Sequence, residues 1–135
     1  MKKKLIVLIF LIFNLFSSIA ITSKNFSNSQ LLCPTLLWGF EFITNNKVKV
    51  INTDLNKVTT INEFYYDVDL NLSYINIFTN FNNIRDRVYS IELNSLRVDV
   101  WTMTGGGFTT REMFPVGLCE FVEVNNLLSH IENIK

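Results

Sequence analysis

The chain holds one histidine, His130, and two cysteines, Cys33 and Cys119, among its 135 residues. A structural zinc site needs about four His, Cys or acidic ligands converging on one point. One histidine and two cysteines that an oxidising compartment would bond do not supply them. No thiol-protease signature surrounds Cys119, so a Cys119–His130 catalytic pair lacks local support. His130 reads instead as a surface residue on the polar side of a short helix. The run Gly105-Gly106-Gly107 lacks the Gly-Lys-Ser/Thr ending of a phosphate loop and reads as a hairpin tip or a loose rim. Asp67 and Asp69 share one strand face and could approach as paired carboxylates, but a solvated polar face is the far commoner origin of such a pattern. No catalytic residue, metal ligand or cofactor is therefore expected.

Charge is also scarce. Lys2-Lys3-Lys4, the apolar run Leu5 to Phe16, and the small residues Ser18 and Ala20 form the layout of a secretory signal. The apolar run is only about twelve residues, short of the roughly 20 that span a bilayer. The segment 1–20 is expected to be removed, which takes 20 of 135 residues and leaves 115. Three of the 12 basic residues leave with it, so nine face 12 acidic ones and the net charge becomes −3. A nucleic-acid partner would need a basic face, and an anionic membrane surface would repel this charge. No second apolar run of spanning length follows, so the mature chain is expected to be secreted and free of a transmembrane segment.

Residues 21–30 are polar and read as a flexible leader, and 31–135 as one domain. Cys33 and Cys119 are expected to bond to each other, an even count leaving no orphan; free thiols or an intermolecular bond are the alternatives. Asn25-Phe26-Ser27 and Asn71-Leu72-Ser73 are N-glycosylation sequons, at Asn25 and Asn71. Sequons also arise by chance in so asparagine-rich a chain.

Period-two alternation dominates what is present. In Arg87 to Met103, Tyr89, Ile91 and Leu93 oppose Ser90, Glu92 and Asn94, then Leu96, Val98 and Val100 oppose Arg97 and Asp99. The change of parity makes Asn94-Ser95 a tight turn or a bulge. Upstream, Val68, Leu70, Leu72 and Tyr74 share a face, and Ile75 and Ile77 take the other, which predicts one long strand with a bulge near Tyr74-Ile75. Leu31 to Ile43, interrupted by Pro34 and Gly39, reads as a bent edge strand. Lys47 to Asn52 turns Val48 and Val50 inward and its lysines outward, as at a protected edge. Leu127, Leu128, Ile131 and Ile134 fall at helical spacing after a cap at Asn125 or Asn126. About seven short strands with a terminal helix closing one end point to a β-sandwich or a barrel.

Fifteen aromatic residues remain after loss of the signal, more than one small core ordinarily needs. They can line an apolar pocket, fill a packed core, or form an interface patch. The cysteine and tryptophan spacing does not fit an immunoglobulin domain, since Trp38 follows Cys33 too closely.

The runs NKVKVINTDLN, DVDLNLSYINI, YSIELNSLRVDVW and FPVGLCEFVEVNNLLSHI resemble a largely uncharacterised family of small secreted insect proteins that includes the chemosensory B proteins. Cys119-Glu120-Phe121 and Asn125 to Ile131 stand where that family has a strand ending in cysteine, a charged residue and phenylalanine, then an asparagine-rich apolar helix. The resemblance spans roughly residues 47–134. The family is similar to the lipid-recognition (ML) domain, which implies a small immunoglobulin-like β-sandwich holding a lipid between its sheets. The expectation is a secreted non-catalytic binder of a hydrophobic small molecule or lipid, lined by Trp38, Phe40, Leu70, Leu72, Tyr89, Ile91, Val98, Val100, Trp101 and Phe114. The alternative is a secreted protein–protein interaction module with a packed core.

Overall fold

The computed structural model describes residues 25–80, 83–104 and 110–135. The expected signal segment 1–20, the start of the leader and the triple glycine lie outside the described residues. Nine strands follow one another: β1 (Gln30–Cys33), β2 (Trp38–Phe42), β3 (Lys47–Thr53), β4 (Thr59–Asp69), β5 (Tyr74–Phe78), β6 (Arg87–Glu92), β7 (Arg97–Thr104), β8 (Thr110–Leu118) and β9 (Glu120–Val122). Among the described residues a 3-10 turn, Ile84–Asp86, precedes β6, and helix α1 (Leu127–Ile134) follows β9. The mainly β expectation and the terminal helix hold. The strands are nine rather than about seven, and all belong to one antiparallel sheet instead of two packed ones.

Sequence neighbours pair in order from β1 to β8, and β9 pairs with β1. Only Cys119 separates β8 from β9. That one run of chain therefore pairs with β7 along its first part and with β1 along its last. The two ends of the strand order meet in a single stretch of backbone, so the sheet is nearly closed and about eight strands wide in circumference. The Cys33–Cys119 disulfide fastens β1 to this junction, across a sequence separation of 86. Pro115 is accommodated at a register shift, where Val98 faces Gly117 and Asp99 faces Pro115. A proline has no ladder donor, and a bulge is one of the few places a strand tolerates it.

Several local expectations change. Leu31 to Ile43 is not a bent edge strand but the β1–β2 hairpin, turning at 34–37 with Leu37 at φ 55°. β3 is interior, between β2 and β4, so its lysines guard no edge; Lys49 instead pairs with Glu41 at 2.9 Å. The long strand foreseen through residues 66–77 is the β4–β5 hairpin. Ser73 turns it at φ 58°, and Asp69 Oδ1 accepts the Leu72 N–H at 3.0 Å. The Asn94-Ser95 alternative resolves as a turn, with Leu96 at φ 56° and its N–H donated to the Glu92 carbonyl. The leader is not free along its whole length. Phe26 is only 2% exposed, packs on Phe42, and is followed by an Asn28 N–H bonded to the Phe42 carbonyl. One buried ring outweighs its polar neighbours because burying a phenylalanine is worth about 1.5–3 kcal/mol.

The inner face carries the main core: Leu31, Phe40, Phe42, Val48, Val50, Tyr66, Ile75, Ile77, Ile91 and Val98. A second core lies on the outer face of β1–β3. There α1 seats Leu127 and Ile131 over Leu32 and Ile51. The helix thus covers a side of the sheet rather than closing one end. Its start is local chemistry: Asn126 Oδ1 accepts the Ser129 N–H at 2.9 Å, satisfying one of the orphan donors of the first turn.

Candidate functional site

One row of side chains crosses five strands on the inner face. Tyr66 faces Ile77, Ile77 faces Tyr89, Tyr89 faces Val100, and Val100 faces Phe114. Exposure rises along it. Tyr66 and Ile77 are buried, Tyr89 and Val100 are half-buried, and Phe114 is 44% exposed. Burial is greatest at the Tyr66 end of the row and least at its open end, toward β7 and β8.

Tyr89 is the hub of the open end. The rings of Trp38, Phe40 and Phe64 meet it at centroid distances of 5.9, 5.9 and 6.0 Å, all near perpendicular. Edge-to-face contacts of this kind suit the opposed charge of ring edges and faces. Asn52, on the inward parity of β3 with Val48 and Val50, donates its Nδ2–H to the Tyr89 hydroxyl at 3.3 Å. Burial pushes the Tyr89 pKa above its ordinary 10.0, and the Asn52 hydrogen bond offsets this only in part. The phenol stays protonated at neutral pH. Among the described residues none accepts its O–H proton. Trp38 is held in place by its own Nε1–H, donated to the Thr53 carbonyl at 3.3 Å.

The opposite end is closed. Tyr66 donates its hydroxyl to the Thr44 carbonyl at 2.8 Å, and its ring lies 4.9 Å from that of Phe42. Phe26 stacks on Phe121 with centroids 6.1 Å apart. On the Trp38 side of β2, Leu36 of the β1–β2 turn lies so near Gly117 that a β-carbon there would stand 2.7 Å from its Cδ1.

Of the ten residues expected to line a site, Trp38, Phe40, Tyr89, Ile91 and Val98 belong to the inner-face cluster. Val100 and Phe114 share that face by register. Leu70 and Leu72 do not: both are exposed on the β4–β5 turn. Trp101 is also misplaced by the sequence reading. It lies on the outer face, where its Nε1–H donates to Ser90 Oγ at 2.8 Å and the Arg87 guanidinium sits 4.9 Å above its ring. Phe64 and Asn52 were missed. Their signal was parity, Phe64 with Tyr66 and Asn52 with Val50, which places a polar group on an otherwise apolar face.

The outer face holds a separate polar row, Asp67, Asn76, Ser90 and Asp99, each facing the next across β4 to β7. Ser90 donates to Asn76 Oδ1 at 3.0 Å, and Arg97 Nε donates to Asp99 Oδ1 at 2.9 Å. Asp67 and Asp69 are not a working pair. Desolvation raises the Asp67 pKa, against hydrogen bonding by Asn76 and the charge of Arg87, while Asp69 is spent on its turn. Asn25 and Asn71 are both exposed, Asn71 on a turn rather than a strand face. No family model, no curated protein and no solved structure matches the chain.

Proposed function

We propose that this protein is a secreted, non-catalytic binder of a hydrophobic small molecule or lipid that carries one hydrogen-bond acceptor. The observation that carries this reading is Tyr89, walled by three rings, supported by Asn52, and left with a proton that no described residue accepts. A sheet of eight strands around encloses about the space that side chains fill or that one small ligand shares with them. Here the filled end leaves the ligand to the open end. Its acceptor meets the Tyr89 hydroxyl, and its apolar body lies along Val100 and Phe114. The resemblance to the chemosensory B proteins points to the same ligand class. Export is supported by the signal-like start and by a disulfide of the kind that oxidising compartments maintain.

A second reading has its own support. Phe40, Phe42, Ile75, Ile77, Ile91 and Val98 are all fully buried, so most of the interior is packed. That favours an interaction module without a ligand. Organic extraction and mass spectrometry of protein made in a eukaryotic host, followed by titration with N-phenyl-1-naphthylamine and oleate, separate the two. The carrier co-purifies with an amphiphile, and Tyr89→Phe weakens oleate binding roughly two- to tenfold, the worth of one hydrogen bond. An empty, folded protein blind to both probes leaves the interaction module.

A further inference from the structure

β4 is 11 residues long, but β5 pairs only with its second half, Tyr65 to Asp69. Among the described residues, Thr59 to Phe64 pair in the sheet on one side alone, with β3. Alternate residues of an antiparallel strand direct both main-chain groups to the same neighbour. Tyr66 donates its N–H to the Asn46 carbonyl at 2.9 Å, on the β3 side. Phe64, Asn62 and Thr60 share its parity. Thr59, Ile61 and Glu63 therefore turn their N–H and C=O groups outward. Among the described residues no main-chain partner meets Ile61 or Glu63 on that side.

The strand itself supplies none of the usual sequence guards. TTINEF contains no lysine, no proline and no bulge, the devices that keep strand edges from pairing. Around it the same hairpin exposes large apolar side chains: Ile61 at 46%, Val58 at 55% and Leu55 at 103%. The geometry points to this edge as a docking surface for a second copy of the same chain, with the two β4 strands joined antiparallel about a two-fold axis at Ile61.

The register follows from phase and charge. Centred on Ile61, the strand sets Ile61 against its own copy, Thr59 against Glu63 and Thr60 against Asn62. Three outward-facing pairs, with two bonds each, give about six main-chain hydrogen bonds. A one-residue slip puts outward groups opposite inward ones. Centring on Asn62 puts Thr59 opposite Tyr65, which β5 already holds. Centring on Thr60 needs Lys57 extended, whereas it sits at φ 61°. Glu63 is the only charge on the edge, and the favoured register places the two copies of it at opposite ends of the pairing. An isologous contact of this kind closes on itself and stops at two chains.

The interface is a short edge with a small apolar cluster, so the pair is weak and reversible. Sedimentation velocity on the folded full chain over a wide concentration range tests it, together with amide exchange. Association should appear as concentration rises. The Ile61 and Glu63 amides should slow with it, while the Asn62 amide, directed to β3, stays as it was. Ile61→Lys should weaken association by roughly tenfold or more. Ile61→Pro should do the same, because it removes only an outward donor; if it misfolds, the lysine variant decides. A chain monomeric throughout overturns the proposal, as does a dimer whose Ile61 and Glu63 amides exchange as in the monomer. An unrelated peptide strand captured by this edge, without self-association, overturns it too.

Discussion

Leu127 rests on Gly39 so closely that a β-carbon at Gly39 would stand 2.8 Å from its Cδ2, with Ile131 Cδ1 equally near. The glycine is a seat for α1. Without it the helix could not bring two fully buried side chains down onto the outer face of β2. Gly39→Ala should therefore cost about 1–3 kcal/mol by overpacking. Thermal unfolding should show a lower midpoint, and the amides of α1 should exchange faster than those of β4. An unchanged midpoint would mean that the two side chains repack freely.

The disulfide closes a long loop, Cys33 and Cys119 being 86 positions apart. In the chain-entropy account such a loop is worth roughly 4–5 kcal/mol. Replacing both cysteines with serine should lower the urea midpoint accordingly. The loss should be largest at the β1–β9 pairing, a ladder of only three residue pairs that the disulfide fastens at its end.

Trp38 and Trp101 answer different questions. Trp38 touches Tyr89 at the open end, whereas Trp101 bonds Ser90 on the outer face. Titration with oleate should quench or shift the emission of Trp38 alone. The Trp101→Phe protein should keep the response, and the Trp38→Phe protein should lose it. Trp101→Phe should also destabilise by about 1 kcal/mol, through the lost hydrogen bond to Ser90.

Glu132 ties the end of α1 to β4. The Thr59 hydroxyl first, and Lys135 second, hold its carboxyl below the ordinary 4.5. A carboxylate with a lowered folded pKa stabilises above its unfolded value and loses that contribution as pH falls through the folded one. The last turn of α1 should thus loosen only below about pH 4.5, read as faster amide exchange from Ile131 to Ile134. Glu132→Gln should remove this pH step, and a step that survives the substitution would assign it to another group.

The helix was legible because its causes are near one another in the chain. A capping asparagine and apolar residues at helical spacing act within a few positions, and Asn126, Leu127 and Ile131 serve as read. The inward set Val48, Val50, Tyr89, Ile91 and Val98 was legible for the same reason, since parity is a property of neighbours. The parity change after Tyr74 is plain in the sequence, but its cause is not. An inserted residue and a short reversal both flip the apolar face, and only the left-handed Ser73 with the Asp69 cap shows a reversal. Trp101 shares parity with Arg97 and Asp99, opposite Val100, but alternation alone does not say what covers that second face.

By itself, then, the sequence determined the local periods and the inward faces, each set by chain neighbours, narrowed the helix cap to two asparagines, and by count favoured the pairing of the two cysteines that the structure shows. The tertiary structure alone decided that nine strands close into one sheet and that Cys119 divides a strand between two partners. It also decided that α1 covers Gly39 rather than an end, and that Asn52 reaches Tyr89 across 37 positions. The physical reason is that period two says which face a residue takes, but not which strand lies beside it. Partners far apart in the chain are chosen by how the whole sheet curls and buries its rings.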